Sequence, residues 1–144
     1  RGTAVINWLF HSYDRYKGDI QSRKNGALVS AETGTSVAFA IFKLQERGSM
    51  FIGPQTKVYQ GMIVGQNNRD NDLDINLIKG KALTNMRASG SDKAVILTTP
   101  KLMSLEEIMA YIKDDELIEV TPKNLRLRKK FLCPNERKRN SKNI

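Results

Sequence analysis

The stretch KVYQGMIVGQ (residues 57–66), followed by a polar turn over residues 67–72 and then LDINLI (residues 73–78), decides the fold. Both apolar runs read as strands. In the second, Leu73, Ile75 and Leu77 alternate with Asp74 and Asn76, the period of a strand buried on one face. Asn, Arg and Asp fill the turn between them, as chain reversals favour.

Working outward, TAVINWLF (residues 3–10), ALVS (residues 27–30), AVILT (residues 94–98) and residues 117–121 and 125–127 carry the same β-branched or apolar character and read as further strands. Met50 to Gly53 forms another, stopped by Pro54, which has no N–H to give to a ladder. Residues 36–47 read as a short helix, with Ala38 and Ala40 early and Gly48 placed to end it. Residues 104–113 are the clearest helix. Ser104 and Glu107 make a capping-box pair, and Leu105, Ile108, Met109 and Ile112 fall on one face. The stretch 79–93 keeps no period and reads as a long loop. Many short strands with about two short helices predict an α+β domain, mostly antiparallel, in a barrel-like or sandwiched arrangement.

The formal charge of +9 is concentrated at one end. Residues 123–144 hold nine Lys or Arg against Glu136, which is +8, and residues 1–122 hold only +1. Such a block suits a solvated tail or an arm for a polyanion. After Cys133 and Pro134 apolar residues stop until Ile144, so residues 133–144 are expected to be a basic flexible tail. One cysteine cannot make an internal disulfide, which favours the cytoplasm, and no apolar run is long enough to span a membrane. The chain opens on Arg1, which predicts a piece of something longer.

Catalytic readings are poorly supplied. One His and one Cys leave a zinc site without ligands, and His11, Ser12 and Asp14 are too close in sequence to converge as a triad on a strand. Residues 70–81 begin like an EF-hand loop but place Ile75 where Gly is required and Lys81 where Glu is required. No G-x-x-x-x-G-K-[ST] run occurs. Glu106, Glu107, Asp114, Asp115, Glu116 and Glu119 read most simply as the solvent face of the helix and its exit. The residues thus predict no catalytic centre, no metal and no cofactor.

Two segments suit nucleic acid. In the loop, Lys79, Lys81 and Arg87 offer charge to phosphates, while Thr84, Asn85 and Ser89 offer hydrogen bonds to sugars or base edges. In residues 123–130, Arg126 and Arg128 would share one face of a strand that buries Leu125 and Leu127, with Lys129 and Lys130 extending the row. A solvated loop and a charged edge strand explain the same residues without a ligand.

The run Leu83-Thr84-Asn85-Met86-Arg87-Ala88-Ser89-Gly90 resembles the C-terminal region of the BipA (TypA) family. So do Asp114-Asp115-Glu116-Leu117, Glu119-Val120-Thr121-Pro122, Arg23-Lys24-Asn25-Gly26, Leu44-Gln45-Glu46-Arg47-Gly48 and Val58-Tyr59 with Gly61. The resemblance implies that residues 1–18 end a domain like domain V of elongation factor G, and that residues 19–132 form the family's C-terminal domain. It further implies a translational GTPase, linked to stress and cold adaptation and to large-subunit assembly, whose GTP and Mg sit in an N-terminal domain that this sequence lacks. The implied partners are the 70S ribosome, its rRNA and the tRNA acceptor end near the peptidyl-transferase region, reached by the loop at residues 79–90. A cytoplasmic monomer is expected. The alternative is a protein-interaction module that meets a ribosomal protein or a partner domain through the acidic helix.

Overall fold

The computed structural model describes residues 7–18, 23–80 and 96–140. Two strands at the centre, β1 (Ala27–Ser30) and β5 (Met62–Asn67), pair antiparallel and are buried along almost their whole length. Such strands read as continuous apolar runs because they are covered on both faces. Beyond β1 lies β6 (Leu73–Ile75), paired parallel to it. On its other edge β5 is shared. β3 (Gly48–Met50) pairs with residues 65–67, and β8 (Leu125–Lys129) pairs with Met62 and Ile63. β7 (Glu116–Val120) completes the order β6-β1-β5-β8-β7, and β2 (Gly34–Thr35) and β4 (Lys57–Val58) form a separate ribbon.

Alternation along β1 and β5 sorts the core into two layers. Leu28, Met62 and Val64 join Ile41, Met50, Val58, Ile75 and Leu77 on one face. Ala27, Val29 and Ile63 join Ile108 and Leu127 on the other. Helix α1 (Ala38–Leu44) supplies Ile41 to the first layer and helix α2 (Leu105–Tyr111) supplies Ile108 to the second. Each fully buried Leu or Ile contributes roughly 1.5–3 kcal/mol. The α+β class therefore holds, with a sheet that is mostly antiparallel and made mixed by the parallel pairing of β1 and β6. Among the described residues no ladder joins β6 to β7, so these ladders do not close a barrel. The sheet is sandwiched between two helical layers instead.

Several expectations shift in detail. Residues 57–66 are two strands, because Gly61 at φ +85° turns the chain between β4 and β5. A Cβ on Gly61 would meet Leu132 Cα at 2.7 Å. Gly48 does not cap α1. Gln45 caps it, and Gly48 opens β3 so close to the Gln66 carbonyl that a Cβ would collide with it. The Ser104–Glu107 capping box forms as expected, yet Met109 faces outward and Tyr111 and Ile112 pack inward beside Ile108.

Residues 7–10, read as the end of a buried strand, carry no strand, and Trp8, Leu9 and Phe10 stand exposed without a pairing neighbour. Residues 96–98 carry none either; residues 3–6 and 94–95 lie outside the described residues. The stretch expected to be a flexible tail contains a third helix, α3 (Pro134–Asn140). Arg137 ties it down, donating to the carbonyls of Phe131 (3.1 Å) and Leu132 (2.8 Å) and pairing with Asp74. No helix among the described residues is long and apolar enough to cross a membrane.

Candidate nucleic-acid interface

The residues that lead into the stretch 79–90 form a built corner. Asn76 ends β6 by accepting the N–H groups of Ile78 (3.0 Å) and Lys79 (3.1 Å) on its side-chain oxygen. Leu77, fully buried, anchors the corner and its carbonyl accepts Val37 N–H at 2.9 Å. Lys79 and Gly80 then emerge exposed. Lys81, Thr84, Asn85, Arg87 and Ser89 lie outside the described residues.

The returning stem is held by a side chain. The Gln45 amide donates to the Ile96 carbonyl (3.2 Å) and accepts Thr98 N–H (3.1 Å), as a neighbouring strand would. Lys101 N–H then reaches the Met50 carbonyl at 2.8 Å. The described residues on both sides of positions 81–95 are thus fastened to α1 and to the end of β3.

The β8 row divides. Leu127 is buried as expected, and Leu125, at the strand's start, is partly exposed. Arg126 and Arg128 are half-buried on the other face. Arg128 faces Glu119 at 3.9 Å, and Glu119 also accepts the Tyr59 hydroxyl at 2.7 Å. Burial first, then that carboxylate, push the Tyr59 hydroxyl far above its ordinary value. Lys130 is exposed, its N–H on the Asp115 carbonyl.

Lys129 departs from the row expected to face RNA: its side chain is 1% exposed and its ammonium contacts Asp72 (2.6 Å), Asp115 (2.7 Å) and Glu116 (3.0 Å). Burial alone would lower its pKa; the hydrogen bonds to Asp115 and Asp72 outweigh that and raise it. Burial likewise works to raise Asp72, but the Lys129 ammonium and the Ala27 N–H hold it below the usual carboxylate range. Glu116, read as part of a solvent face, is buried and bidentate with Arg23 at 2.7 and 3.1 Å. The Arg23 guanidinium stacks on the Tyr111 ring at 4.1 Å, and burial pushes the Tyr111 hydroxyl up to about 12.

This network joins Arg23, the corner before β6, β7 and β8, and both of its cations are spent on carboxylates within the fold. Strand alternation holds the signal that sequence reasoning missed: the period that places Leu127 inside places Lys129 inside as well.

Among the described residues no group of His, Cys, Asp or Glu could hold a metal ion, and His11 lies exposed in the irregular segment 7–18. Of the cations singled out from the sequence, those the described surface offers a polyanion are Lys79, Arg126 and, partly neutralised, Arg128 on β8, and Lys130 beyond it.

Residues 25–134 match the family model described as the TypA/BipA C-terminal domain. The chain is 55% identical over 96% of its length to a protein of Buchnera aphidicola (from Schizaphis graminum) named large ribosomal subunit assembly factor BipA. Proteins of the same name from Haemophilus influenzae and Salmonella typhimurium are 51% and 50% identical, again over 96% of this chain. The chain spans 23% of the length of each of these three relatives.

Proposed function

Because the chain belongs to the TypA/BipA C-terminal domain family, we propose that it is the RNA-contacting domain of a ribosome-associated translational GTPase active in large-subunit assembly. The observation that carries this reading is the 55% identity, over nearly the whole chain, to a protein named as a large ribosomal subunit assembly factor. The sequence contains no phosphate-cradling motif, so GTP and Mg belong to a part of the parent protein not represented in it.

In this reading residues 79–90 form the reaching element, directed at rRNA and the tRNA acceptor end near the peptidyl-transferase region. Lys79, Lys81 and Arg87 meet phosphates; Thr84, Asn85 and Ser89 meet ribose or a base edge. Fixed flanking residues at Asn76 and at Gln45 suit that task, since a rigid base reduces the entropy lost on binding. Arg126, Arg128 and Lys130 add a second, weaker row. Lys129 serves the fold and is left out of the interface.

Sedimentation with 70S ribosomes across a salt series tests it. Replacing Lys79, Lys81 and Arg87 together by Gln should lower ribosome association and flatten its salt dependence. Unchanged association at physiological salt removes the loop from the interface.

The second reading, docking through the acidic helix, needs a narrower probe than charge reversal at both glutamates. Glu107 accepts Ser104 N–H at 2.8 Å within the capping box, so its loss would unsettle α2. Glu106 lies exposed beside it. Glu106→Lys alone separates the readings, since only docking through α2 predicts lost association.

A further inference from the structure

The sheet is split along one edge of β5, and the split opens a cleft. β3 occupies that edge at residues 65–67 and hands over to Phe51, whose N–H reaches the Val64 carbonyl at 2.8 Å. β8 occupies it only at Met62 and Ile63, although its pairing with β7 continues to Val120 and Leu125. Leu125 and Arg126 therefore run beyond the last β5 pair and diverge from Phe51 and Ile52. The space between them is about 500 Å³, floored by Met62 and Ile63 and bordered by residues 101–103, Ile108 and the turn at residues 121–124.

The chemistry of this cleft is one-sided. Among the described residues no carboxylate lines it. Lys101 and Lys123 stand exposed on opposite borders, and neither ammonium has a partner among the described residues. Lys123 rides on a fixed turn, in which Thr121 Oγ1 donates to the Asn124 carbonyl (2.8 Å) and accepts its N–H (3.0 Å). Leu102, 83% exposed, and Leu125, 39% exposed, sit at the mouth as apolar residues with little cover. The one aromatic in the lining among the described residues, Phe51, is partly buried against the second core layer and meets Tyr111 edge-to-face at 5.5 Å, so it serves the core rather than standing free as a stacking platform.

An aliphatic floor between two unpaired ammonium groups, beside an unpaired strand edge, matches a peptide better than a nucleic acid. We propose that this cleft docks a short, extended, acidic segment of a partner protein, whose apolar side chains enter between β3 and β8 and whose carboxylates meet Lys101 and Lys123. This surface uses none of the side chains of residues 79–90 and shares only Arg126 with the second row on β8.

Fluorescence anisotropy with a labelled peptide of alternating Glu and Leu tests it on the whole chain, with an alternating Lys and Leu peptide and a single-stranded RNA of equal length as comparators. The acidic peptide should bind with a Kd below about 1 mM, and amide shifts should centre on Leu102 and Leu125. Lys101→Glu with Lys123→Glu should weaken it by about tenfold or more and confer binding of the basic peptide. Both positions are exposed, and an unchanged circular dichroism melt identifies the variant as folded. The comparison between peptides on the unaltered chain stands without any variant. Failure of the acidic peptide to bind, equal binding of the basic peptide to the unaltered chain, or shifts at Leu102 and Leu125 produced by RNA instead would each overturn the proposal.

Discussion

Lys129 and Glu116 face each other across the β7–β8 hairpin at 3.0 Å with side chains 1% and 0% exposed. A buried ammonium needs several acceptors, because desolvation costs several kcal/mol that a single partner rarely offsets. Asp72 and Asp115 supply the others, and Arg23 holds the far side of Glu116. Lys129→Met should therefore lower the free energy of unfolding by about 3 kcal/mol, as removing one member of a buried pair does. Lys130→Met, on the opposite face, should change it by less than about 0.5 kcal/mol. Urea denaturation of the two variants checks the contrast; equal small effects would show that the network adds little.

The same network sets the pH response. Asp72 has a folded pKa below its ordinary 3.8, so its contribution is complete above that value and is lost as pH falls through the lower folded value. Lys129 has a folded pKa above its ordinary 10.5, so its contribution is complete below that value and is lost as pH rises through the higher folded one. Stability should thus be flat across neutral pH and fall at both extremes. Asp72→Asn should reduce the acid-side slope of the denaturation midpoint. An acid limb identical to that of the unaltered chain would remove Asp72 from the account.

Gly61 is required for two reasons at once, its φ of +85° and the nearness of Leu132. Gly61→Ala should cost more than about 2 kcal/mol, combining the left-handed penalty with a backbone collision that no side-chain rotation relieves. The thermal midpoint reports it. A shift within the scatter of surface substitutions would mean that the β4–β5 turn can rearrange.

Local rules made the strand ALVS, the first half of LDINLI (Leu73–Ile75) and the capped helix at Ser104 legible, whereas residues 76–78 leave the strand where the Asn76 side chain turns the chain. Such rules were weaker where a residue's surroundings come from distant segments. Lys129 obeys strand alternation but was grouped by its charge with Lys130, and only the arrival of Asp72 and Asp115 from other loops makes an inward lysine tolerable. Glu116 was assigned to a solvent face for the same reason, since Arg23 lies ninety-three positions away. Helix α3 has an entirely polar sequence, and its hold on Asp74 is a tertiary contact that composition cannot announce. Of the interface expected from sequence, the structure positions Lys79 and the β8 arginines. Lys81 to Ser89 rest on their side-chain chemistry and on the family resemblance.

The last prediction concerns how the loop is carried. Gln45 stands where a strand would, bridging Ile96 and Thr98 through one amide at 3.2 and 3.1 Å. This clamp is exposed and contributes little to the core, so Gln45→Leu should change global stability by less than about 1 kcal/mol. It should nevertheless speed hydrogen exchange at the Thr98 amide, which loses its acceptor, while Lys101 stays protected by the Met50 carbonyl. If the loop at residues 79–90 acts on RNA as proposed, releasing one end of its base should also weaken ribosome association by raising the entropy lost on binding. Faster Thr98 exchange with undiminished association would mean that the corner at Asn76 alone is enough to aim the loop.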